Sequence, residues 1–83
     1  MCDLPDFKTV EERHAYFVEN APYFTVTCRF RGMAYHSDQQ TLEKARECAG
    51  YVVKLTGRSV LIYGVICMYD ELIETLIPPT NPG

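Results

Sequence analysis

The sequence predicts a small single-domain α+β protein with the element order α-β-β-α-β. It has a three-stranded, mainly antiparallel sheet in the order 2-1-3 packed on one long helix, and a short C-terminal helix. Three observations lead there. Residues 23–31 alternate apolar and polar at period two, the mark of a strand with one buried face. Arg31-Gly32, between two strand-like runs, has the form of a tight hairpin turn. The run that ends at Thr56 gathers its apolar residues on one side when they are placed at helical spacing.

At 83 residues, 47% of them hydrophobic, the chain has material for one domain with one small core. That domain is expected over residues 1–77, with the proline-rich stretch 78–83 as a disordered tail. A formal charge of -3 argues against broad contact with phosphate backbones, which needs clustered Lys and Arg. No basic segment precedes an apolar run of signal-peptide length, and no stretch approaches the roughly 18 to 20 apolar residues of a membrane helix. A soluble, cytoplasmic protein without membrane association is expected.

Cys2, Cys28, Cys48 and Cys67 form no C-x-x-C pair and no finger-type Cys/His spacing, so neither a metal site nor a cofactor is expected. Without an export signal, disulfides are not expected either. Cys28, Cys48 and Cys67 read as small buried hydrophobes, and Cys2 as loose.

The first helix is expected over residues 10–20. Thr9-Val10-Glu11-Glu12 has the pattern of a capping box, in which the Thr side chain accepts from the amide three residues on, and Pro22 stops the helix. Val10, Phe17, Val18 and Ala21 fall on one stripe that includes His14, which reads as a packed, hydrogen-bonded histidine. In the hairpin, Phe30 is expected opposite Met33, Cys28 opposite Tyr35 and Thr27 opposite His36. Phe30, Met33, Cys28 and Tyr35 then share one face, drawing Tyr35 inward, while Thr25, Thr27, Arg29, Ala34 and His36 share the other. Cys28 and His36 point to opposite sides and cannot form a nucleophile and base pair.

Ser37-Asp38-Gln39-Gln40 repeats the capping-box pattern and is expected to open the long helix, which runs to Thr56 with Gly57 as its left-handed stop. Leu42, Ala45, Cys48, Ala49, Val52, Val53 and Leu55 gather on the buried side. Glu43, Lys44, Arg46, Glu47, Gly50, Tyr51 and Lys54 lie on the other, where interspersed signs mark a solvated face. Gly50 costs about 1 kcal/mol against Ala in such a position, which a partner, a closely passing backbone or drift at a tolerant site would explain equally. Residues 59–69 are apolar or aromatic on both faces, so this strand wants cover on both sides. Asp70 reads as the N-cap of a short helix in which Leu72, Ile73, Leu76 and Ile77 recur at helical spacing. That segment, the first helix or a second copy of the chain is expected to supply the second cover.

The sequence carries no Gly-rich phosphate loop, nucleophile elbow, zinc-protease helix or credible acid/base pair, and a domain of this size has little room for a pocket. A non-enzymatic protein is expected. Tyr23, Arg29, Arg31, Tyr35 and His36 offer the stacking and phosphate contacts of a small RNA or single-stranded-DNA binding sheet. Two Arg on an acidic chain make a poor basic stripe, so that reading stands second. The first is a protein-protein interaction module that binds a protein partner or itself, as a homodimer. Its expected contact residues are Arg29, Arg31, His36, Tyr51, Tyr63, Tyr69, Asp70, Glu71 and Glu74, with Tyr and Arg as anchors and the three acids as a charged patch.

In size, acidity and lack of a catalytic motif the chain resembles the small accessory proteins carried by phages and mobile elements, anti-CRISPR inhibitors among them. The resemblance is one of general character over the whole chain; it matches no motif and assigns no residue a role. It implies a stoichiometric inhibitor that occupies a surface of a host macromolecular complex, for instance by presenting acids where nucleic acid is normally held.

Overall fold

The computed structural model describes residues 4–79. They form α1 (Val10–Asn20), β1 (Tyr23–Phe30), β2 (Met33–Gln39), α2 (Leu42–Thr56), β3 (Val60–Ile66) and β4 (Tyr69–Leu76). The strands make one antiparallel sheet in the order β2-β1-β3-β4. The α+β class and the antiparallel 2-1-3 order of the first three strands are as expected. The fourth strand is a correction: residues read as a C-terminal helix pair along β3 from Ile66↔Tyr69 to Val60↔Leu76.

The physical reason is a β-bulge. The β3/β4 register shifts between Ile62 and Tyr63, whose partners are Glu74 and Leu72, so Ile73 is an extra residue. Ile73 and Leu76 both pack against the core. An apolar spacing of three, which reads as helical, is here the trace of a bulged strand.

Both helices lie on one face of the sheet. α2 sits over β1 and β3, and α1 over β3 and β4. The core joins Phe24, Val26 and Cys28 of β1, Val60 and Ile62 of β3, and Ala45, Ala49, Val52 and Val53 of α2. Glu71 and Glu74 occupy the same face as Phe24 and Val26, through Gly64 and Ile62, and are held by Arg13 of α1 and Arg46 of α2. Gly64 is where the Phe24 ring and Ile73 close over the strand, because a Cβ there would stand 3.4 Å from both.

Local chemistry sets the element ends. Thr9 caps α1, its hydroxyl accepting from Glu12 N at 3.1 Å, while the Glu12 carboxylate accepts from Lys8 N, one residue ahead of the cap. Phe17 is the fully buried residue of α1. His14 lies with Nε2 3.0 Å from the Ile73 carbonyl, the packed histidine that its position suggested. The β1–β2 register is the expected one. Arg31 and Gly32 both have positive φ, 54° and 77°, which defines a type I′ hairpin turn.

The long helix starts later than its capping-box pattern predicted. Ser37, Asp38 and Gln39 stay in β2, paired with Val26, Thr25 and Phe24, and Thr41 is the cap, accepting from Lys44 N at 3.1 Å. Gly57 closes the helix at φ 68° as expected. Leu55, assigned to the buried side, is 69% exposed and lines an open groove with Phe30 and Met33. A Cβ on Gly50 would meet nothing within 4 Å, so no backbone among the described residues accounts for that glycine.

Cys28 and Cys48 are free, and Cys28 is buried. Cys67 departs from the expected free, buried thiol: it is exposed in the β3–β4 turn at φ 57° and is disulfide-bonded. Cys2 and residues 80–83, most of the expected tail, lie outside the described residues, and Pro78 and Pro79 follow β4 without regular structure. Among the described residues no helix is long and apolar enough to cross a membrane.

Candidate functional site: the uncovered face of the sheet

Side chains alternate across a strand, so the register assigns the opposite face without ambiguity. Thr25, Thr27 and Arg29 of β1 lie there beside Asp38, His36 and Ala34 of β2. Tyr63 and Leu61 of β3 flank Thr25 and Thr27 on the other side, and Leu72 of β4 stands opposite Tyr63. Neither helix reaches this face. The second cover expected for β3 is therefore not supplied by α1 or by the C-terminal segment.

The face has two halves. Leu61, Tyr63 and Val65 are half-buried by their neighbours, and Leu72 is 44% exposed, making an apolar band along β3 and β4. Beside it Asp38 organises a polar band. Its Oδ1 accepts from Thr25 Oγ1 at 2.9 Å and lies 3.2 Å from His36 Nε2. Thr25 is 9% exposed, a buried polar residue satisfied by this bond. Its hydroxyl is directed at the carboxylate, so this trio holds side chains in place without pairing a hydroxyl with the imidazole. Two shallow depressions of about 350 and 370 Å³ share Thr27 and Tyr63; the first continues to Tyr69 and Asp70, the second to Arg29 and Leu61.

The nine residues expected to make contacts do not fall on one surface. Arg29, His36 and Tyr63 lie on the uncovered face, with Tyr69 and Asp70 at the end of the first depression. Arg31 sits on the hairpin turn with its guanidinium 5.2 Å from the Phe30 ring centroid. Tyr51 is exposed on α2, across the sheet from Arg29, His36 and Tyr63. Glu71 and Glu74 are engaged by arginines on the helix side, so the three acids do not form one patch. Asp38 and Leu72 join the face without having been anticipated. The period-two alternation of β2 continues through Asp38 and is the signal that identifies it; Leu72 is hidden by the bulge beside it.

A second exposed apolar surface lies along the free edge of β2. Phe30, Met33, Tyr35, Tyr51, Val52 and Leu55 line a groove of about 350 Å³. Tyr35 does lie on the helix side as its register requires, yet it is 42% exposed, with its hydroxyl 3.8 Å from Cys48 Sγ. That contact raises the Tyr35 pKa above its ordinary value.

Among the described residues no three His, Cys, Asp or Glu side chains converge in the manner of a metal site. Comparison with protein-family models, with curated proteins and with solved structures finds no match to this chain.

Proposed function

We propose that the protein is a non-enzymatic protein-protein interaction module whose contact surface is the uncovered sheet face. One observation carries the reading: both helices pack on the same side of a four-stranded sheet, leaving on the other an apolar band beside an organised polar band. A partly apolar, partly polar surface with Tyr and Arg is the usual composition of a protein contact, and the depressions around Tyr63 suit an anchoring side chain of the partner. Joined to the resemblance to phage and mobile-element accessory proteins, this supports reading the chain as a stoichiometric inhibitor that occupies a host complex.

A second reading keeps the same face and changes the ligand. Tyr23, Tyr63, Arg29 and His36 on an antiparallel sheet could stack and neutralise RNA or single-stranded DNA. Asp38 and Asp70 at the same face and the net charge of -3 weigh against it.

Affinity capture from a host lysate tests both. Leu72→Asp with Tyr63→Glu is expected to reduce partner capture at least tenfold while Lys54→Glu on α2 leaves it unchanged. Salt-dependent binding of single-stranded oligonucleotides, lost in Arg29→Glu with Arg31→Glu, would transfer the face to the second reading.

A further inference from the structure

We propose that the free edge of β2 is a two-fold symmetric docking edge for a second copy of this chain, which joins two sheets into one of eight strands. The inference is independent of what the uncovered face binds. Phe30 and Met33 close a two-residue type I′ turn, so they exchange backbone hydrogen bonds, and so do the pairs at every second position after them. The N–H and C=O groups of Ala34, His36 and Asp38 consequently point away from β1, toward an edge that no other strand among the described residues fills.

The two edges of the sheet are unlike. β4 carries Asp70, Glu71 and Glu74 and a bulge, devices that discourage pairing. β2, with the sequence MAYHSDQ, has no Lys, no Pro and no register irregularity, and its one acid, Asp38, lies beside His36 on the uncovered face. Directly beside it lies the groove, flanked by Met33 (74% exposed), Tyr51 (68%), Leu55 (69%) and Tyr35 (42%). No charged side chain lines that groove, on a chain with 19 charged residues.

These features select the occupant. An uncharged apolar patch has no charge for a heterologous partner to match, whereas it is complementary to itself. An antiparallel edge pairs with its own copy about a two-fold axis near Tyr35, where Ala34 of each copy exchanges both hydrogen bonds with His36 of the other and the four exposed side chains of each meet around the axis. Counted on both copies, those side chains expose roughly 1,000 Å², about what a specific interface needs; a single inserted peptide would cover half of it. The dimer also places the two uncovered faces side by side, which makes the module bivalent.

Light scattering and sedimentation on the full chain test this. A dimer is expected at micromolar to submillimolar concentration, and Tyr51→Glu with Leu55→Lys, both at exposed helix positions, is expected to raise its dissociation constant at least tenfold with the thermal transition retained. Amide exchange supplies the second readout: the Ala34 and His36 amides are expected to exchange slowly in the dimer and rapidly on dilution. A monomer at millimolar concentration would overturn the proposal. So would a dimer indifferent to the groove variant, free exchange of those two amides within a dimer, or monomers whose β2 edge is filled by an extended segment of another protein.

Discussion

Arg13 of α1 and Glu71 of β4, 58 positions apart in the sequence, are bonded Nε to Oε1 beneath the sheet. The same guanidinium lies 4.8 Å from the centroid of the buried Phe17 ring and donates to the Asp70 carbonyl. The contact ties the first helix to the last strand and, with Arg46 on Glu74, explains how an acidic strand can turn two carboxylates toward the helices.

The two arginines that receive those carboxylates should differ in weight. Arg13 and Glu71 side chains are 34% and 17% exposed, Arg46 and Glu74 55% and 36%. Arg13→Ala leaves a largely buried carboxylate unpaired and removes the packing on Phe17, and is expected to cost about 2 kcal/mol. Arg46→Ala is expected to cost no more than about 0.5 kcal/mol. Urea denaturation of the two variants checks the contrast.

Cap position gives a second test. Thr41→Ala should destabilise by about 1 kcal/mol, because the Lys44 amide loses its acceptor, and Ser37→Ala by well under half of that. An equal or larger loss at Ser37 would return the helix start to the earlier capping-box pattern.

These residues also show what was legible in the sequence. The hairpin register was, because residues 24–30 alternate without interruption and Gly32 marks the turn; every predicted pair from Phe30↔Met33 to Thr27↔His36 stands. The separation of Cys28 from His36 followed from that register. β4 was not, since Asp70 looks like a cap and the bulge at Ile73 gives Ile73 and Leu76 a spacing shared by strand and helix. Pairing with β3 decided between them, through a two-residue turn at Cys67-Met68 that has no Gly or Asn to mark it. The uncovered face was half legible: its polar band comes from β1 and β2, but its apolar edge depends on β4 being a strand.

At the hairpin turn, Arg31 occupies a left-handed conformation at φ 54° that costs a side chain with Cβ about 1 kcal/mol. Arg31→Asn supplies the Asn-Gly pair that a type I′ turn favours and is expected to stabilise the protein by about 0.5 to 1 kcal/mol. A raised thermal midpoint with an unchanged denaturant slope would bear this out.

Gly50 stands mid-helix over open space. Gly50→Ala is expected to add about 1 kcal/mol of stability through helix propensity alone. Measured in the presence of a captured partner, the same variant reports whether α2 is also a contact: the account expects binding to be unchanged.

The central claim is that the side of the sheet opposite both helices is the contact surface. Its most direct measurement is a titration of isotopically labelled protein with the captured partner, followed residue by residue through backbone amide shifts. The account predicts that the largest shifts fall on Thr25, Thr27, Tyr63, Val65 and Leu72. Shifts concentrated on the exposed sides of α1 and α2, with those five residues unmoved, would contradict it.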